Sequence, residues 1–178
     1  MKLSKLFLAS AIVAALPIVL AAQQPSNPLV SGEKGFYGMV SHSVVAAAEK
    51  MPEADYTFKP TPEVRSFGQL VGHVADAQYS MCSTALGEEK PVKGIETTKT
   101  SKADLVDALK AAVAYCGKAY SGMTDAQATA IVNMMGYQLA KLTVLSVNTA
   151  HTDEHYGNMV TYLRLKGIVP PTSENRGK

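Results

Sequence analysis

The 178-residue chain holds four histidines, and two of them stand four positions apart in Ala150-His151-Thr152-Asp153-Glu154-His155-Tyr156-Gly157. On a helix of about 3.6 residues per turn that spacing puts both imidazoles on one face, where they can bind one ion together. Counted from His155 at about 100° per residue, Val144, Asn148, His151, Met159 and Tyr162 all fall within about 40° of it. The pair therefore belongs to the stripe that faces the core, with Asp153 opposite and Glu154 off to one side. Imidazoles in an apolar interior need hydrogen-bond partners or a metal, since an unpaired buried polar group costs about 1–3 kcal/mol. The spacing alone leaves two readings open, half of a metal site or two core histidines satisfied by ordinary hydrogen bonds.

The same five residues, His151 to His155, fit H-x-x-E-H, the inverted zinc-protease signature, with Glu154 as general base. Those enzymes need a further ligand well downstream, and only 23 residues follow His155, so this reading is set aside.

The remaining two histidines lie on earlier helical patterns. Ser66-Phe67-Gly68-Gln69 has the form of a capping box and opens a helix whose apolar side carries Phe67, Leu70, Val74, Ala77 and Met81. His73 stands at the edge of that stripe and can reach the core. Asp76, three residues on, can orient His73 or act as an outer acceptor for it, the plainer reading being a solvent-facing carboxylate. His42 belongs to a first helix over about Leu29–Met51, on the side away from Phe36, Val40, Val44, Ala47 and Met51, and reads as solvated.

Between these helices, Pro52 to Arg65 contains three prolines and reads as a connecting loop. Gly87 to Thr100 is a long polar connection. Ser101 followed by Asp104 caps a third helix, with Leu105, Leu109, Ala112, Val113 and Cys116 on its stripe to about Tyr120. Thr124 to Gln127 starts a short helix ending near Met134, interrupted by Gly136 and Gln138. The last helix spans about Leu139 to Lys166, stopped by Gly167 and the Pro170-Pro171 pair. No alternating strand pattern is evident, so the expected class is all-α with four main helices. The long connection after the second helix lets the second and third run parallel. Cys82 and Cys116 then fall at the same end, as a disulfide or as two buried thiols.

Residues 1–22 read as an export signal, in which Lys2 and Lys5 precede an apolar run from Leu6 to Leu20 and Val19-Leu20-Ala21 has the small-residue pattern of a cleavage site. At about 15 residues the run is short for a spanning helix. Residues 23–28 form a polar leader, 29–171 the domain and 172–178 a tail, and the expected location is periplasmic or secreted, without stable membrane insertion after cleavage. The formal charge of +2 belongs to the discarded segment, since two of the 17 Lys and Arg lie there, leaving 15 against 15 Asp and Glu. A neutral chain without a basic run has no electrostatic footprint for nucleic acid.

Arg65-Ser66-Phe67-Gly68-Gln69-Leu70-Val71-Gly72-His73, then His151-Thr152-Asp153-Glu154-His155-Tyr156-Gly157-Asn158, then Tyr162 to Pro171 together resemble the DinB-like superfamily, over about Leu29 to Pro171. The resemblance implies a four-helix bundle of up-down-down-up topology, a homodimer, and a divalent metal held by three histidines. His73, His151 and His155 match those positions. Characterised members of that family include thiol-dependent transferases and isomerases that use small cellular thiols; an exported chain departs from that background.

Three neutral imidazoles leave one position of a tetrahedral ion open, the arrangement of a catalytic rather than a structural zinc site. Three nitrogens do not decide the metal; zinc is the first choice, with nickel, iron and manganese as alternatives. Asp76 or Glu154 are the candidates for a base or orienting group, and Asn148 and Tyr162 for polar contacts beside the ion. Two functions follow from this reading: a metal-dependent hydrolase or transferase acting on a small molecule, or a non-catalytic metal- or ligand-binding protein of the envelope, tied to stress.

Overall fold

The computed structural model describes residues 26–174. The export-signal reading of residues 1–22 lies outside the described residues, as do residues 23–25 of the polar leader and 175–178 of the tail.

Four long helices carry the fold: α1 (Pro28–Lys50), α2 (Phe67–Leu86), α4 (Lys102–Gly122) and α6 (Lys141–Leu165). Two one-turn helices, α3 (Ile95–Thr98) and α5 (Asp125–Ala128), sit in the connections. The helix starts follow local chemistry. Ser66 accepts from the Gln69 amide while the Gln69 side chain returns to the Ser66 amide, and Thr124 and Gln127 repeat the arrangement at α5. Ser101 caps α4 through the Asp104 amide. Each such cap satisfies donors that the first helical turn leaves free and contributes about 1 kcal/mol. At the other end of α2, Gly87 takes the left-handed conformation, φ 78°, that closes a helix at little steric cost.

Side-chain contacts give the helix directions. The Cys82–Cys116 disulfide, with Cα atoms 5.2 Å apart, joins the later halves of α2 and α4. Gly68, near the start of α2, faces Leu105, near the start of α4, so these two helices run parallel. Phe67 lies against Tyr162 and His73 against His151, so α6 runs antiparallel to α2. Between the helices, Val44, Val71, Leu109, Met159 and Leu163 are wholly buried in one apolar core. Among the described residues, no helix is long and apolar enough to cross a membrane.

Residues 129–140 correct the expectation of helix and the absence of strands. β1 (Ile131–Met134) and β2 (Tyr137–Ala140) form an antiparallel hairpin with Met134 opposite Tyr137 and Ile131 opposite Ala140. Met135 and Gly136 both have positive φ, 53° and 91°, which makes the two-residue turn that matches the twist of paired strands. The Gly136 amide donates to the Asn133 side chain across it. Strands of four residues offer only two alternations each, too few to stand out as a pattern, and Met, Gln, Leu and Ala here are ordinary helix formers.

Candidate metal centre

α6 packs against α1 and α2, and its inward stripe runs through Val144, Asn148, Thr152, His155 and Met159. His151 and His155 lie where this stripe meets α2, one turn apart, and His73 reaches them from α2. The His151 Nε2 stands 3.3 Å from the His73 Nε2 and 3.0 Å from the His155 Nε2. One nitrogen from each ring lies within 4.8 Å of those of the other two. The rings do not stack: His155 is turned 80° to His151 and 88° to His73, so the three radiate from a common point.

That geometry fits a divalent cation. Nitrogens about 2.0–2.1 Å from a tetrahedral ion stand about 3.3 Å from one another. Two neutral imidazoles can share one N–H···N bond, but a third ring aimed at the same point has no proton left to meet. The three-histidine group could therefore hold a metal ion.

The outer nitrogen of His73 supports the same assignment. The His73 Nδ1–H donates to Glu96 Oε2 at 3.0 Å, which leaves its Nε2 with a lone pair facing the other two rings. The His155 Nδ1 lies 3.3 Å from the Asn158 Nδ2. The His151 Nδ1 is buried without a partner. Burial, and then the neighbouring histidines and Arg65, push the His155 pKa down to about 4; burial and His73 lower that of His151 as well. Both rings are thus neutral near pH 7, the form that binds a metal.

Glu96 was not legible in the sequence. It sits on α3, inside the polar connection, and reaches His73 because α3 is docked on α2. Its backbone N–H donates to Asp76 Oδ2 at 2.9 Å, Ile95 beside it is buried, and its Oε1 accepts from the Arg65 Nε at 2.8 Å. The only sequence signal was Ile95 itself, a single large apolar residue following a glycine within a polar run.

The other candidate residues are placed as follows. Asp76 makes no hydrogen bond to a histidine; its Oδ2 accepts from the Glu96 backbone N–H, and its Oδ1 is buried without a partner. Glu154 is exposed and makes no hydrogen bond to the three rings. Asn148 is buried one turn before the histidines and donates to the Tyr120 hydroxyl at 3.0 Å, away from the ion position. Tyr162 donates its hydroxyl to the Arg65 carbonyl at 2.7 Å, pinning the loop before α2 to α6. His42 is exposed on α1.

A cleft of 690 Å³ opens beside His155. Its walls come from the loop before α2 (Lys59, Pro60, Val64, Arg65), from Leu70 and Glu96, and from the Asn158, Thr161 and Tyr162 side of α6. A cleft of this size takes a small molecule, and of the three histidines His155 lines it.

A helical bundle with three convergent histidines defines a class of candidate metal-binding proteins. The profile of the DinB superfamily matches residues 39–159, and the chain belongs to that superfamily. Its fold is similar to the crystal structure of a DinB-like protein from Bacillus cereus ATCC 10987, with a TM-score of 0.71 at 17% identity, covering 79% of this chain and 95% of that one. No curated protein matches the sequence.

Proposed function

We propose that His73, His151 and His155 hold a divalent cation through their Nε2 atoms, with zinc as the first candidate, and that the protein is a metal-dependent hydrolase or transferase acting on a small molecule. The observation that carries this reading is the convergence of three imidazole nitrogens beside a 690 Å³ cleft. An ion with an open position supplies Lewis acidity, polarising a substrate oxygen or acidifying a water or thiol toward neutral pH. The chain's own residues do the rest. Glu96 fixes the tautomer and angle of His73, Asn158 sits against the outer nitrogen of His155, and Leu70, Val64 and the Tyr162 ring line the cleft.

Export to an oxidising compartment is part of this proposal. It is supported by the wholly buried Cys82–Cys116 disulfide, a bond that reducing cytosol disfavours. We also propose a homodimer, for which the exposed Leu29, Phe36 and Met39 on one face of α1 offer an apolar surface.

The test is elemental analysis of protein purified without chelator or histidine tag, alongside His73→Ala. Near-stoichiometric metal in the wild type and its loss in the variant is the expected result. No metal in either, even after addition of zinc or nickel, would overturn the reading.

A further inference from the structure

α3 is a single helical turn within a largely exposed connection. Among the described residues from Gly87 to Asp104, Ile95 alone is buried. A lone helical turn orders several backbone angles for few hydrogen bonds, so α3 persists only while it is packed on α2. Among the described residues, its polar fastenings to the rest of the chain converge on Glu96. The backbone N–H of Glu96 donates to Asp76 Oδ2 at 2.9 Å, and its carboxylate accepts from the His73 Nδ1–H at 3.0 Å and from the Arg65 Nε–H at 2.8 Å. The bond to His73 is the one that ends on the three-histidine group, and it joins the hold on α3 to whatever happens at the inner nitrogen of the same ring.

From this arrangement we infer that Glu96 is a latch, through which a cation bound by His73, His151 and His155 fastens α3 onto α2. The inference rests on the proposed cation site and adds a conformational response to it. When the His73 Nε2 gives its lone pair to a cation, the ring proton must sit on Nδ1, facing Glu96 Oε2. Without a cation that proton has a second place, on Nε2 and 3.3 Å from the His151 Nε2, which sets the Nδ1 lone pair against the carboxylate. The positive charge of an ion also strengthens the Nδ1–H as a donor and attracts the carboxylate beyond it. Coupling between two equilibria is reciprocal, so if a docked Glu96 tightens cation binding, the bound cation holds Glu96 docked by the same factor. Glu96 and Arg65 both line the cleft, so that wall is complete only while α3 is in place.

The test is amide hydrogen exchange, read by mass spectrometry on metal-free and zinc-loaded protein with zinc measured on each sample. The amides of Glu96, Thr97, Thr98 and Lys99 donate to Asp76, to Gly94 twice and to Ile95, so they exchange when α3 lifts and unwinds. Zinc should slow them about fivefold or more. The amides of Gln127 and Ala128 in α5, a one-turn helix anchored to the start of α1 instead, should be unmoved. Glu96→Ala keeps the backbone bond to Asp76 and removes the carboxylate. With zinc raised until this variant is loaded, its α3 should exchange at the same rate with and without the ion. Zinc bound without slower exchange in α3, or with α3 and α5 slowed alike, would overturn the latch and leave the three-histidine site standing. Zinc protection of α3 that survives in Glu96→Ala would overturn it as well. If the wild type takes up no zinc, the latch and the cation site fall together.

Discussion

A Cβ placed on Gly72 would stand 2.7 Å from the Glu96 Cα and 2.9 Å from the Glu96 amide nitrogen. α2 receives α3 at this point because residue 72 has no side chain, and the approach is what carries the Glu96 carboxylate to His73 one residue further along α2. Gly72→Ala should therefore act on the histidine group indirectly. Backbone cannot yield as a flexible side chain does, so α3 must lift, at an expected cost of about 1–3 kcal/mol. Denaturant unfolding measures that cost. A parallel zinc titration should show weaker binding, since Glu96 no longer orients His73.

Glu96→Gln isolates the charge from the docking. The variant keeps the shape of the side chain and leaves the backbone bond to Asp76 in place. It removes the carboxylate that accepts from His73 and Arg65. Zinc affinity should fall about tenfold or more, as is usual when the outer partner of a ligating histidine is changed. Thermal stability of the metal-free protein should change much less. Unchanged zinc affinity would mean that His73 is oriented without Glu96.

The buried histidines set an acid limit on the metal-free protein. With the His155 pKa lowered to about 4 in the folded state and near 6.5 when unfolded, the unfolded chain binds the extra proton first as pH falls. Stability is thus full above about pH 6.5 and is lost progressively as pH drops toward 4. Between pH 7 and pH 5 the loss from this ring should be on the order of 1 kcal/mol after allowing for solvent that still reaches it. Urea unfolding of metal-free protein at the two pH values, repeated with His155→Gln, tests this. The variant should show a smaller pH dependence.

The Cys82–Cys116 disulfide spans 34 residues and links the two parallel helices at one end of the bundle. Closing a loop of that length removes conformational freedom from the unfolded chain, worth about 3–4 kcal/mol in the chain-entropy model. Cys82→Ala with Cys116→Ala should lower stability by roughly that amount. Both sulfurs are inaccessible in the folded protein. Native protein should therefore resist reductant until denaturant is added, which thiol titration over time would show.

Much of the frame was legible because its causes are local. The caps at Ser66, Ser101 and Thr124 depend on residues three positions apart, and each begins a helix in the structure. The i, i+4 spacing of His151 and His155 settles that they share a helix face, as helical geometry requires. The hairpin at Ile131–Ala140 was missed for the complementary reason: two strands of four residues exist by pairing with each other, and neither has a pattern long enough to show alone.

By itself, the sequence determined the four long helices, most of their inward residues and the three histidines as candidates, since periodicity and capping act within a few residues; Phe36, expected inward on α1, is exposed. Only the tertiary structure decided which groups meet those histidines. Asp76 and Glu154 are near them in the chain, yet the carboxylate at His73 comes from Glu96, 23 residues away, delivered by a one-turn helix seated over Gly72. Asn148 shares the histidine stripe and ends in a separate contact with Tyr120. A helical period specifies which way a residue faces; what it faces depends on the packing of segments distant in the chain.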